Sequence, residues 1–109
     1  VFSVERIDEL LKLARRRFHS LRLNNIYLRY ADGHLGWPSQ APFDGIMVTA
    51  VAQSVPQELV DQLRIGGVLV MPVERNGQQR LIVVRRDEDG FEETDLGAVV
   101  FVPLLSGLA

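Results

Sequence analysis

Three residues with polar chemistry stand where apolar runs break off. Glu5 follows "VFSV", Asp32 follows "IYLRYA", and Thr49 follows "FDGIMV". A carboxylate has two acceptor oxygens and no donor, so Glu5 can take hydrogen bonds from two adjacent ribose hydroxyls. Asp32 can accept from the amino group of an adenine, and Gly33 beside it lets a flat base approach the main chain. Residues of this kind gather a ligand when they end parallel strands, because open α/β sheets bind ligands outside the carboxyl ends of their strands. The plainer alternative is that the two acids serve as a helix start and an Asp-Gly turn, both common positions for them.

Other chemistries find little support. The chain has no cysteine, which removes disulfides, thiol catalysis and cysteine-zinc sites. His19 and His34 lack a second ligand at metal-binding spacing, so no metal site is expected. No Ser-His-Asp arrangement is readable. Gly66-Gly67 lacks the Lys-Ser/Thr of a phosphate loop and precedes a strand. Arg15, Arg16 and Arg17 read as a solvated helix end, and Trp37 as a loop plug. A net charge of −2 gives no reason to expect nucleic acid as a partner. No apolar run approaches the roughly 20 residues of a membrane span, so no membrane partner is expected. No signal peptide is visible, and the expected location is the cytoplasm.

The elements that must position these residues follow from periodicity. With 109 residues and a hydrophobic fraction of 47%, the chain has material for one domain. "VFSV" reads as a short strand ending at Glu5. In "RIDELLKLARRRFHSL" the apolar residues Ile7, Leu10, Leu11, Ala14, Phe18 and Leu21 fall at helical steps. Asp8 and Lys12 are spaced to pair on the solvent face, and acids at the front with arginines behind suit the helix dipole. Ile26, Leu28 and Tyr30 alternate with Tyr27 and Arg29 in a second strand near an edge. "HLGWPSQAP" is a loop. "FDGIMVTA" is a third strand, and its consecutive Ile46, Met47 and Val48 suggest cover on both faces. "SVPQELVDQLRIGG" reads as a short helix with Ser54 as cap, Pro56 in the first turn and Gly66 as stop. "VLVMPV" is a fourth strand. Asn76-Gly77 and Asp89-Gly90 mark tight turns, and a last strand is expected over Ala98 to Val102. The front alternates strand and helix while the back meanders. That is the pattern of an α/β sheet, mostly parallel, with an antiparallel carboxyl-terminal edge.

Taken in order, "VFSVERI", "ADG" with "GW" close behind, "APFDGIMVTA", "LRIGGVLVMPV" and "VFVPL" resemble the carboxyl-terminal half of protein-L-isoaspartate O-methyltransferases. The resemblance covers essentially the whole chain. It implies a Rossmann-like sheet that binds S-adenosylmethionine and an enzyme that methylates the free carboxylate of L-isoaspartyl residues in damaged proteins and peptides. The methyl ester then collapses to a succinimide that can reopen to aspartate. By resemblance, Glu5 with Arg6 beside it matches the ribose side of the cofactor, and Asp32 with Gly33 the adenine side. Thr49 and Ala50 match the strand end beside the substrate cleft. Val102, Pro103 and Leu104 match the terminal segment that closes over it. Small residues at Thr49 to Ala52 then leave room for a methyl donor and a peptide main chain. Val51 and Gln53 stand where relatives commonly read "TAAPP". No catalytic side chain is implied, because a carboxylate of pKa about 3.5 is already ionised at neutral pH.

The resemblance also implies a glycine-rich cofactor loop and a first strand ahead of "VERI", and neither is in this sequence. Residues 1–109 are therefore expected to be a partial methyltransferase domain, inactive alone. The strands ending at Glu5 and Thr49 would flank an empty slot, and association or strand swapping between copies is expected. The alternative from a different class is a non-catalytic Rossmann-like binding or interaction module.

Overall fold

The computed structural model describes residues 1–109 and forms two hydrogen-bonded sheets. The first pairs β1 (Phe2–Glu5) with β2 (Tyr27–Tyr30) in parallel, with Phe2 opposite Tyr27 and Glu5 opposite Tyr30. Helix α1 (Asp8–Ser20) makes the crossover between them. Asp8 and Glu9 sit in its first turn, and Asp8 pairs with Lys12 at 3.0 Å. The helix closes with a Schellman arrangement. Leu23 N–H donates to Phe18 O at 2.9 Å, and Arg22 takes a left-handed φ of 57°, where glycine is usual.

The second sheet runs in the order β3 (Phe43–Met47), β4 (Leu63–Arg75), β5 (Gln78–Asp87) and β6 (Gly90–Ala98). β3 and β4 are parallel, and β4, β5 and β6 form the antiparallel meander. The expected α/β architecture with an antiparallel carboxyl-terminal edge is therefore present. Both tight turns are in place: Asn76-Gly77 joins β4 to β5, and Asp89-Gly90 leads into β6.

The core belongs to the second sheet. Alternate residues Leu69, Met71 and Val73 of β4 and Ile82 and Val84 of β5 are fully buried. They pack with Leu59, Val60, Leu63 and Ala52 in one cluster. Burying such side chains contributes about 1.5–3 kcal/mol each. On α1 only Leu11 is buried, while Leu10 and Leu21 of the expected apolar stripe are exposed.

Four details depart from the sequence expectations. Helix α2 spans only Gln57–Asp61, with Pro56 at the N-cap and no side-chain cap from Ser54. It stops at Gln62, because Arg86 reaches across to cap its end, donating from Nη1 to Asp61 O at 3.0 Å and Leu63 O at 2.7 Å. Gly66, expected as the stop, lies inside β4 at φ +85°, where the pairing with β3 slips between Phe43 and Gly45. Gly67 makes that slip possible: a β-carbon there would come within 3.1 Å of Phe43 O and 3.2 Å of Asp44 O. The last strand ends at Ala98 rather than beginning there, since its pairing with β5 ends where Ala98 faces Arg80. Finally, Met47 is 76% exposed, because nothing in these residues covers the outer face of β3.

Candidate functional site

The carboxyl ends of β1 and β2 come together at one rim. Parallel register sets Glu5 beside Tyr30, and Ala31 N–H donates to Glu5 O at 3.0 Å. Asp32 is therefore two residues beyond the strand that flanks Glu5, on the same side of the molecule. Glu5 is half-buried, and its carboxylate makes no hydrogen bond or ion pair within the chain.

Both oxygens of Asp32 are engaged by the protein. It caps the 3₁₀ turn Gly33–Leu35, and its Oδ1 accepts from His34 N at 2.8 Å and contacts His34 Nδ1 at 2.9 Å. Its Oδ2 accepts from Gly107 N at 3.0 Å. Burial pushes the Asp32 carboxyl up, but the hydrogen bonds from Gly107 and His34, with the charge of the His34 ring, outweigh it and hold the pKa below the ordinary carboxylate value.

The third strand reaches the same rim. Val48 N–H continues the ladder to Val70 O at 2.9 Å beyond the end of β3, and Thr49 follows, exposed. Val51 then pairs with the carboxyl-terminal segment. Its N–H donates to Val102 O at 2.7 Å, and Leu104 N–H returns to Val51 O at 2.7 Å. Thus Ala50 and Thr49 lie one and two residues before Val51, where Val102, Pro103 and Leu104 cross. A β-carbon on Gly33 would meet Leu104 Cδ1 at 3.7 Å, so this segment also borders the Asp32 turn.

What the sequence reading did not anticipate is the path beyond Leu104. Residues 105–109 run from the end of β3 to the ends of β1 and β2. Arg6 Nε donates to Gly107 O at 3.1 Å, and Tyr30 Oη donates to Ala109 O at 2.8 Å. Ala109 N–H donates to Arg6 O at 2.8 Å, and its oxygen also accepts from Asp8 N–H at 2.9 Å at the start of α1. Arg6, grouped with the cofactor residues by resemblance, is held to this tail on both its main chain and its side chain. The tail has no periodicity, so no local signal announced its course.

Two further features fix the rim. Buried Gln62 accepts from Trp37 N at 2.9 Å and donates to Leu35 O at 2.9 Å, tying the loop after Asp32 to the second sheet. At the opposite, amino ends of the strands, Phe2 stacks on Tyr27 at 5.2 Å and meets Trp37 edge-on at 5.3 Å and Phe43 at 5.9 Å. The Trp37 ring, partly buried, lies against Phe2 with Arg29 over it at 5.7 Å.

Parallel strand pairs joined by helices and continued by an antiparallel meander make this an α/β protein with a Rossmann-like fold. The chain belongs to the protein-L-isoaspartate(D-aspartate) O-methyltransferase family, whose sequence model matches residues 1–109. It is 52% identical over 108 residues to the protein-L-isoaspartate O-methyltransferase of Idiomarina loihiensis, and 53% identical over 107 residues to that of Pseudomonas syringae. Each match covers 98% of this chain and 51% of the relative, so the chain spans about half the length of the curated relatives it matches. Among solved structures, it is similar to a beta-aspartate methyltransferase (PCMT) from Plasmodium falciparum in complex with S-adenosyl-L-homocysteine. The TM-score is 0.85 at 25% identity, over 96% of this chain and 52% of that one. It also shares the fold of a protein-L-isoaspartate O-methyltransferase at TM-score 0.90 and 24% identity, over 100% of this chain and 35% of that one.

Proposed function

We propose that the protein carrying this chain transfers the methyl group of S-adenosylmethionine to the free carboxylate of L-isoaspartyl residues in damaged proteins and peptides. The observation that supports this most is the unengaged Glu5 carboxylate on a rim shared with Asp32, Thr49 and the terminal segment, in a chain of this family. The residues fit a nucleoside. Glu5 has both oxygens free for a ribose diol. Asp32 accepts three bonds of the roughly four a carboxylate can take, which leaves one position for a base amino group. Gly33 lets the base approach, and Arg6 holds the tail beside it.

Bound S-adenosylmethionine supplies an activated methyl on a sulfonium. The chain's residues supply position. Thr49 and Ala50 leave a narrow, small-residue border where the isoaspartyl main chain can lie, and Val102, Pro103 and Leu104 close over it. The attacking carboxylate is already ionised at neutral pH, so rate comes from holding its oxygen in line rather than from a side-chain base. A cytoplasmic location belongs to this reading, and cell fractionation checks it.

The test is methyl transfer by the intact protein to an isoaspartyl peptide and to the same peptide with normal aspartate. Methylation of the first alone is expected. Binding of S-adenosylhomocysteine without transfer to either peptide would favour a non-catalytic binding module.

For residues 1–109 alone we propose association between copies. β1 has β2 as its single hydrogen-bonded neighbour and β3 has β4, so each offers an unpaired edge, and Met47 adds exposed apolar surface. Light scattering is expected to report dimers or larger species, and a stable compact monomer would contradict it.

A further inference from the structure

The tip of the β4–β5 hairpin places an electrophile and a nucleophile in adjacent residues, with no hydrogen bond made by either group. Asn76 and Gly77 form its two residues, at φ 53° and 77°, the handedness of a type I′ turn. Both are exposed. Gly77 N–H donates no hydrogen bond, and the Asn76 side-chain amide neither donates nor accepts one. Around the position of a β-carbon on Gly77 nothing lies within 4 Å.

We propose that Asn76 is a spontaneous modification site at which isoaspartate forms. Gly77 N gives its proton to water and attacks Asn76 Cγ. The bond from Cγ to the side-chain nitrogen breaks, and that nitrogen leaves as ammonia. One water then opens the five-membered imide. Cleavage at the side-chain carbonyl returns aspartate, and cleavage at the main-chain carbonyl gives isoaspartate. The net change is addition of one water and loss of one ammonia, with no oxidant or reductant. The inference stands whether or not the methyl-transfer reading holds.

The chain's other candidates are better protected. Asn24 precedes Asn25 and Asn25 precedes Ile26, so a side chain crowds each attacking nitrogen. The Asp32 carboxylate before Gly33 is fixed by its bonds to His34 and Gly107. Asp44 before Gly45 is paired with Arg64. Asp89 before Gly90 carries a carboxyl group in place of the amide, so it has no ammonia to lose. At Asn76 the turn must open before the ring can close, and the strand pairing of Arg75 with Gln78 opposes that. Formation of isoaspartate adds a negative charge and one methylene to the main chain at the tip, which loosens the same pairing.

The experiment is to hold the folded, intact protein at neutral pH and body temperature, digest it at intervals and map the peptides by mass spectrometry. A free peptide of the Glu74–Gln79 sequence serves as the unrestrained reference. Isoaspartate is expected at position 76 at a rate within about tenfold of the free peptide, tenfold corresponding to about 1.4 kcal/mol for opening the turn. Asn24 and Asn25 are expected to persist over the same interval. Asn76→Gln, which would have to close a six-membered ring, is expected to remain unmodified. Intact Asn76 in the folded protein after the free peptide has fully converted would overturn the proposal, as would equal conversion at Asn24 or Asn25.

Discussion

The two sheets of this molecule divide its labour unequally. β4, β5 and α2 contain eight of the nine residues of the buried hydrophobic cluster, with Ala52 from the segment between β3 and α2 as the ninth, whereas β1, β2 and α1 contribute Leu11 alone. Yet Glu5 and Asp32 lie on the weakly packed part. The strongly packed part supplies Thr49, Ala50 and the terminal segment. The site is therefore a seam. Its geometry depends less on a shared core than on the tail that crosses from Val51 to Arg6, Tyr30 and Asp32, on Gln62, and on the aromatic cluster around Phe2. Packing density and candidate chemistry are separable in this chain, and the tail joins them.

The largest effects should fall where packing is densest. Ile82→Ala is expected to cost about 2–5 kcal/mol of global stability, since Ile82 is fully buried. Leu11→Ala should cost about 2 kcal/mol, at the low end of that range, because its surroundings are open enough to collapse. Denaturant unfolding of both variants checks this, with amide exchange faster in β1 and β2 than in β4 and β5. Equal losses and equal protection would break the comparison.

A smaller effect sharpens it at the seam. Because the folded Asp32 pKa lies below its ordinary value, the tail's attachment is fully present above the usual carboxylate pKa of about 3.9 and is lost as pH falls through the lower folded value. Protection of the Gly107 amide should therefore drop in that acid range, while β4 and β5 stay protected to lower pH. Asp32→Asn should weaken that protection at neutral pH as well. An unchanged Gly107 amide in this variant would show that the tail is held without Asp32.

Much of this arrangement was legible in the residues, and the illegible parts share a cause. Alternating apolar positions located β2, the short run "VFSV" located β1, and Asn76-Gly77 located the hairpin, because those signals are local. Gly66 misled because positive φ serves a bulge as well as a helix stop, and only the packing of Gly67 against β3 separates the two. Arg22 in the left-handed position carried no signal, since arginine is not the usual residue there. The run Ile46-Met47-Val48 implied two covered faces, and Met47 finds no cover within these residues. Strand ends at Glu5, Asp32 and Thr49 could be placed on one rim from topology alone. The engagement of Asp32 by Gly107 could not, because it joins residues far apart in sequence through a segment without pattern.

Glu5 is proposed as the free acceptor for a nucleoside, and calorimetric titration of the intact protein with S-adenosylhomocysteine tests it directly. Glu5→Ala should weaken binding by about 1.5–3 kcal/mol, the worth of charge-assisted hydrogen bonds to a ribose diol, with the fold intact by circular dichroism. Unchanged affinity in Glu5→Ala would contradict the placement of the nucleoside at this rim.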